Sequence, residues 1–186
     1  MNLIDMIKYT DTAVTVREIP LEVTLCINIS NCPCHCKGCH SSYLAEDIGI
    51  ELGWYDCIAK KGKSESLHKL ILENKGITCV AFMGGDNDPK YINELARRIK
   101  ENYYSDLEGI KVAWYSGRQE LSSCIDIKNF DYIKLGPYIE ERGPLNNPNT
   151  NQRLYQVKVR DIPDNYGNWV YELEDITNLF WREWFL

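Results

Sequence analysis

Four of the eight cysteines in this 186-residue chain lie within ten residues, from Asn31 to His40. Three spacings are nested there: Cys32-x3-Cys36, Cys36-x2-Cys39 and the closer Cys32-x-Cys34-x-Cys36. Thiolates bind soft and borderline metals, and in a reducing compartment such a tight cluster is more often a metal site than a set of disulfides. The stretch therefore predicts a metal centre, and the choice among the nested sets decides its chemistry.

Two kinds of metal centre compete for this loop. A structural zinc ion needs four closing ligands, but alternate cysteines crowd one another and no second cysteine or histidine pair lies elsewhere in the chain. A 4Fe-4S cluster held by Cys32, Cys36 and Cys39 would leave one iron without a protein ligand, where a substrate can bind. The spacing favours the cluster, and a non-catalytic zinc-binding adaptor is an alternative.

Three strand-like runs each end in a loop that could carry chemistry. The cysteine loop follows the apolar residues 23–29, which are typical of a strand buried in a parallel sheet. Residues 77–83 run into Gly84-Gly85-Asp86, and residues 110–115 run into Ser116-Gly117. Because functional loops of α/β folds gather at the carboxyl ends of parallel strands, we expect these three loops to meet.

Helices are predicted between these strands. An amphipathic pattern behind Pro89 predicts a helix to about residue 103, and Ser64 is the expected N-cap of another that ends near residue 74. Repeated strand–turn–helix units indicate parallel strands with right-handed crossovers. Since a complete eight-fold barrel takes about 250 residues, the prediction is an α/β fold with a partial, open β/α barrel.

The remaining segments are assigned from shorter patterns. We expect one domain, with a core at about residues 21–156 and a C-terminal extension at about residues 157–186. An edge strand is predicted at residues 13–16, the start of a helix at residues 54–58 and a further strand at residues 132–135. Residues 153–159 and 169–173 are expected to form a small C-terminal β-hairpin with its turn at residues 165–168. The aromatic residues of 176–186 are expected to pack in the core.

Composition excludes several classes of partner. The net charge is −6 and no basic run of five residues exists, so we expect no nucleic-acid partner. No signal peptide or membrane-spanning stretch is recognised, so we expect a cytoplasmic protein without a membrane partner. Cys26 and Cys79 lie in apolar strands, where cysteine behaves as a small hydrophobic residue.

Taken together, these motifs resemble a known family. Cys32-x3-Cys36-x2-Cys39 after one strand, with Gly84-Gly85-Asp86 after the next, resembles the radical S-adenosylmethionine (SAM) enzymes. Within that superfamily, Cys36 to His40, the Gly84-Gly85-Asp86 turn, residues 132–141 and Thr150-Asn151-Gln152-Arg153 are similar to the activating enzymes of anaerobic ribonucleotide reductase. Two positions depart from the pattern: Asn31 stands where glycine is common, and Asp86 where glutamate is common.

The resemblance implies a site built around two cofactors. Cys32, Cys36 and Cys39 would hold a 4Fe-4S cluster, and SAM would chelate the open iron. Cys34 would not be a ligand, because a fourth thiolate would close that iron. The remaining cofactor-binding residues implied are Gly38, Cys39 and His40 near the adenine, Gly84, Gly85 and Asp86 at the methionine amino end, and Ser116 as a hydrogen-bond donor to the ligand.

The resemblance also implies the reaction and the partners. The reduced cluster would cleave SAM, and the resulting 5′-deoxyadenosyl radical would take a hydrogen atom from a glycine of anaerobic ribonucleotide reductase. That reductase and a low-potential electron donor such as flavodoxin or ferredoxin would be the partners. No catalytic residue is expected beyond the cluster and SAM. The alternative function is a radical SAM enzyme that acts on another small-molecule or peptide substrate.

Overall fold

The protein forms one large mixed sheet that is covered by helices on one face and mainly by loop segments on the other. The computed structural model describes residues 6–55, 58–59, 62–103, 109–160 and 169–181. The strands are β1 (Lys8–Thr15), β2 (Thr24–Ile29), β3 (Ile50–Gly53), β4 (Ile58–Ala59), β5 (Gly62–Lys63), β6 (Glu65–Ser66), β7 (Cys79–Met83), β8 (Lys111–Tyr115), β9 (Tyr132–Leu135), β10 (Arg153–Val159) and β11 (Tyr171–Asp175).

Two α-helices and four short 3-10 helices complete the described part of the chain. Helix α2 (Pro89–Tyr103) has the predicted bounds, and helix α1 (Leu67–Glu73) begins after Ser66, whose hydroxyl accepts a hydrogen bond from the Lys69 N–H. Ser66 is therefore the N-cap in place of the predicted Ser64. The 3-10 helices are Ser42–Ala45, Ile127–Asn129, Glu140–Arg142 and Thr177–Trp181.

Nine of the described strands form the sheet, in the order β11-β10-β9-β8-β7-β2-β1-β3-β6, and β4 pairs with β5 separately. The four central strands β2, β7, β8 and β9 are parallel to one another. Strands β1 and β10 run antiparallel to this central group. The carboxyl ends of four adjacent parallel strands therefore lie side by side at one edge of the sheet.

Successive side chains of the central strands point to opposite faces of the sheet, so the core has two layers. Residues such as Leu25, Val80 and Trp114 pack on the layer that contains both α-helices. Their neighbours, including Cys26, Ala81 and Ala113, face a smaller cluster covered by Ile19, Leu145 and Phe180. Cys26 and Cys79 are buried, which confirms that they pack as small hydrophobic residues.

The prediction of a partial β/α barrel of the radical SAM type is wrong. The sheet is mixed, and only two α-helices occur in the described residues. Strand β1 lies between β2 and β3, but β3 pairs only with Lys8 and Tyr9, so residues 13–15 pair with β2 alone, as predicted for an edge strand. Strands β10 and β11 pair antiparallel, as predicted, but β10 also pairs with β9, so the two strands continue the main sheet. The link from β8 to β9 contains only the 3-10 helix Ile127–Asn129. The antiparallel strands β1 and β10 flank the four parallel strands, so the sheet stays open and does not curve into a barrel of parallel strands.

Some predictions are wrong in detail, and others fall on residues that are not described. The helix predicted at residues 54–58 is not present in its described part, where residues 54–55 form a bend and β4 follows. The hairpin turn at residues 165–168 and the aromatic residues beyond 181 lie outside the described residues. Among the described residues, no helix combines the length and apolarity needed to cross a bilayer.

The buried Cys26 thiol makes stability depend on pH. Burial, followed by the charge of Glu18, raises its pKa to about 12. An unfolded chain loses this proton near pH 8.5, so the folded state binds more protons above that pH, and stability falls by at most about 1.4 kcal/mol per pH unit. Cys26→Ala should therefore flatten the decline in the free energy of unfolding between about pH 8.5 and 10, measured by urea denaturation.

The exposed Cys124 provides the control for this measurement. Cys124→Ala should retain the wild-type pH dependence, because it removes an exposed cysteine and leaves the buried Cys26 in place. An identical slope in Cys26→Ala and wild type would contradict the burial argument.

Candidate functional site

Asp86 joins three loops at the carboxyl ends of the parallel strands. Its side chain is 7% exposed. Oδ1 accepts a hydrogen bond from the Ser116 hydroxyl at 2.6 Å, and Oδ2 accepts one from the Gly117 N–H at 2.8 Å. The Cys34 Sγ donates to the same Oδ2 from 3.5 Å. The cysteine loop, the Gly-Gly-Asp turn and the Ser-Gly turn therefore meet, as the sequence predicted.

Backbone contacts fix the start of the cysteine loop. The Asn31 N–H donates to the Glu46 carbonyl at 2.9 Å, and the Cys32 N–H donates to the Leu44 carbonyl at 2.8 Å. Asn31 has a φ of 59°, in the left-handed region that glycine and asparagine adopt most readily. The backbone conformation thus accounts for asparagine at this position.

The four cysteines of the loop are free and half-buried. The Cys32 and Cys34 sulfurs and one Asp86 carboxylate oxygen all lie within 4.8 Å of one another. Cys36 and Cys39 are not part of so compact a group among the described residues. Thiolates that bind different irons of one cluster lie farther apart than thiolates on one ion. The compact trio of Cys32, Cys34 and Asp86 therefore suits a single ion.

The Cys34 thiol is held in its protonated form by its surroundings. Burial, then the negative charges of Asp86 and Cys32, raise its pKa to about 12. At neutral pH Cys34 is consequently a protonated thiol that donates to Asp86. A metal ion would have to displace this proton before the sulfur could bind it, since the thiolate is the binding form.

Close contacts require glycine at two of the site's turns. Gly85 has a φ of 92°, and a Cβ there would lie 2.6 Å from the Ile92 Cδ1. A Cβ on Gly117 would lie 2.7 Å from the Cys34 sulfur. Glycine therefore lets the Gly-Gly-Asp turn pack on α2 and lets the Cys34 thiol reach Asp86.

Lys134 is the buried cation of the site, with 7% of its surface exposed. Its Nζ donates to the carbonyls of Gly136 at 2.6 Å and Ser116 at 3.4 Å. Burial lowers its pKa to about 8, while the charges of Cys36, Asp86, Cys34 and Cys39 act in the opposite direction. The ammonium group is therefore positioned to offset negative charge on the cysteine loop.

The segment after β9 forms one wall of the cysteine loop. The rings of His40 and Tyr138 meet edge to face with centroids 6.0 Å apart. A Cβ on Gly38, whose φ is 74°, would lie 3.2 Å from the Glu140 Cδ. The Asn151 Nδ2 donates to the Pro137 carbonyl at 2.9 Å. Asn151 thus holds in place a turn that packs on the cysteine loop, which gives a structural role to part of the Asn-Gln-Arg motif.

A cavity opens beside Asp86. Its volume is about 550 Å³, and Pro89, Arg118, Glu120 and Leu121 are among its lining residues. Small-molecule sites commonly have volumes of about 300–1,000 Å³. The cavity is therefore large enough for a small ligand next to the point where the three loops meet.

The structure assigns specific contacts to the predicted site residues. Ser116 was expected to donate to a ligand, but here its hydroxyl hydrogen goes to Asp86. Gly84 has a φ of 101°, and its carbonyl accepts a hydrogen bond from the Trp114 indole at 2.8 Å. Sequence reasoning missed Lys134, although a lysine within the buried strand β9 was the signal that could have identified it.

Comparison of the chain with protein-family models, curated proteins and solved structures found no match. The geometry of the site therefore carries the functional argument.

Proposed function

We propose that this protein is a glycyl-radical activating enzyme that uses a 4Fe-4S cluster and SAM to act on anaerobic ribonucleotide reductase. The observation that carries the proposal is the meeting of the cysteine loop, the Gly-Gly-Asp turn and the Ser-Gly turn around Asp86. This arrangement needs only adjacent parallel strands that end at one edge. The proposal therefore rests on the loops and does not require a barrel.

The residues of the loop are chemically suited to an iron–sulfur cluster. Cys32, Cys36 and Cys39 are free, half-buried thiols on one short loop, and Fe–S clusters are bound by thiolates. Cys34 is occupied by its contact with Asp86, which supports three ligands rather than four. The Lys134 ammonium group would partly offset the negative charge of bound thiolates.

The exposed tip of the loop favours a protein substrate. His35, Lys37, Gly38 and His40 are exposed, so a large partner can approach the cysteines directly. A low-potential electron donor such as flavodoxin or ferredoxin would also have access to this side. We accordingly propose that the reductase completes the substrate site, and that the enzyme works in the cytoplasm.

When bound and reduced, the cluster and SAM together supply a 5′-deoxyadenosyl radical that can take a hydrogen atom from a glycine Cα. The chain's own contribution is positioning and charge. Asp86 holds the three loops in register, the glycines permit close backbone approach, and Lys134 balances charge beneath the loop.

A second candidate is a radical SAM enzyme that acts on another small-molecule or peptide substrate. The cavity beside Asp86 favours it, because its volume would accommodate a small substrate. The two candidates differ in where the abstracted hydrogen originates.

Deuterium transfer distinguishes the two candidates. The anaerobically reconstituted protein is mixed with SAM, a reductant and the co-occurring anaerobic reductase, in which glycine carries deuterium at Cα. Mass spectrometry should find one deuterium in the 5′-deoxyadenosine product, because the hydrogen atom comes from a glycine Cα. Cys36→Ser serves as the inactive control. Abundant 5′-deoxyadenosine without deuterium would reject the glycyl-radical assignment and favour the second candidate.

A further inference from the structure

We propose that Cys32, Cys34 and Asp86 form a mononuclear site for a borderline divalent cation such as Zn²⁺, which shares Cys32 with the cluster site. The compact grouping of these three ligands is the observation behind the proposal: two sulfurs and a carboxylate oxygen lie within 4.8 Å of one another. The site gives a function to Cys34, which the proposed cluster does not use as a ligand.

The distance between the Cys34 sulfur and the Asp86 carboxylate matches zinc coordination. With Zn–S near 2.3 Å and Zn–O near 2.1 Å, a tetrahedral ion places sulfur and oxygen ligands about 3.6 Å apart. The Cys34 sulfur and the Asp86 Oδ2 are 3.5 Å apart. One ion can therefore replace the thiol hydrogen between them with little movement of either side chain.

Asp86 is already oriented as a metal-binding carboxylate would be. The Ser116 hydroxyl donates to Oδ1 at 2.6 Å, and the Gly117 N–H donates to Oδ2 at 2.8 Å. Hydrogen bonds of this kind orient ligands in known metal sites. Gly117 also leaves room for the Cys34 sulfur, which a Cβ would approach to 2.7 Å.

The ligand types select the class of cation. Two thiolates and one carboxylate suit Zn²⁺ far better than Mg²⁺ or Ca²⁺, which prefer oxygen ligands. Three protein ligands leave a fourth position for water. Binding would release the two thiol protons to solvent, because the ion coordinates thiolates.

Sharing of Cys32 makes the two metal states mutually exclusive. This part of the inference rests on the proposed function, because it takes Cys32 as a cluster ligand. A chain that holds zinc between Cys32, Cys34 and Asp86 cannot bind a cluster through Cys32, Cys36 and Cys39. Zinc occupancy would therefore keep the enzyme inactive until the ion is removed.

Zinc titration of the full-length, cluster-free protein tests the site. The titration is done without oxygen, against a chromophoric chelator, on wild type and four variants. Wild type should bind one zinc ion per chain. Cys34→Ser and Asp86→Asn should each weaken binding at least tenfold, whereas Cys36→Ser and Cys39→Ser should match wild type. Circular dichroism checks that each variant is folded. If Asp86→Asn does not fold, the result for Cys34→Ser decides the test.

Wild-type affinity in Cys34→Ser would overturn the proposal, as would equal weakening in all four variants.

Cluster reconstitution separately tests whether zinc and the cluster exclude each other. One equivalent of zinc, added first, should suppress iron incorporation in wild type but not in Cys34→Ser; equal incorporation with and without zinc in wild type would overturn the exclusion. Zinc binding with the expected variant pattern, but no cluster in any protein, would reject the proposed function and leave the zinc site standing.

Discussion

Cys36→Ser is expected to abolish iron–sulfur binding, whereas Cys34→Ser should leave it almost intact. Anaerobically reconstituted wild type should contain about four irons per chain, and Cys36→Ser less than about one, because serine does not replace a soft thiolate ligand. SAM cleavage should fall by at least about 100-fold in Cys36→Ser. Iron and sulfide analysis, together with chromatography of 5′-deoxyadenosine, provide the measurements.

Cys34→Ser is the matched control because it lies in the same loop, two residues away. The Cys34 thiol donates a hydrogen bond to Asp86, with its sulfur 3.5 Å from Oδ2, and the proposed cluster takes its three ligands from Cys32, Cys36 and Cys39. Its removal should therefore cost the cluster no ligand. Equal loss of iron in both variants would mean that the assignment of three ligands is mistaken.

Asp86→Asn is expected to destabilise the site and to reduce SAM cleavage at least about tenfold. The carboxylate accepts hydrogen bonds from the Ser116 hydroxyl, the Gly117 N–H and the Cys34 thiol. An amide has one accepting oxygen, so its NH2 group must face at least one of these donors. The variant would leave a buried donor without an acceptor and would also lose a charge-assisted hydrogen bond. Together these two effects should lower the free energy of unfolding by about 2–3 kcal/mol.

Urea denaturation of the cluster-free protein measures the stability effect, and 5′-deoxyadenosine formation by the reconstituted protein measures the activity effect. Glu141→Gln makes the same chemical change at an exposed residue and should alter neither quantity. Unchanged stability in Asp86→Asn would show that Asp86 does not join the loops as described.

The sequence predicted those helices and strands whose residue pattern lies within one continuous stretch of the chain. Helix α2 was found with its bounds because Pro89 and an apolar face at helical spacing occur together. Strands β9 and β10 were likewise found with their bounds. A buried strand or an amphipathic helix leaves a repeating pattern in the sequence, and such patterns are readable without tertiary information.

Topology could not be read in the same way. Strand β6 has only two residues and β3 has four, so neither contains a full alternating pattern. Strand β1 alternates polar and apolar residues poorly and contains an irregularity between Tyr9 and Thr12. Whether such segments join a sheet depends on partners far along the chain, and this is why the mixed sheet was mistaken for a partial barrel.

The site was predicted as far as its local motifs extend. Cysteine spacing identified the loop, and glycine-containing strand ends identified the turns. The contact between Cys34 and Asp86 joins residues 52 positions apart, and Lys134 reaches the site from strand β9. These relations arise only on folding, so the compact Cys32–Cys34–Asp86 group was not predicted from spacing.

Electron paramagnetic resonance on a mixture of the reconstituted protein, SAM, a reductant and the co-occurring anaerobic reductase tests the central claim most directly. A glycyl-radical doublet on the reductase is predicted, and it should be absent when SAM is omitted or when Cys36→Ser replaces wild type. Persistent absence of the doublet, while SAM is still cleaved to 5′-deoxyadenosine, would contradict the proposed function.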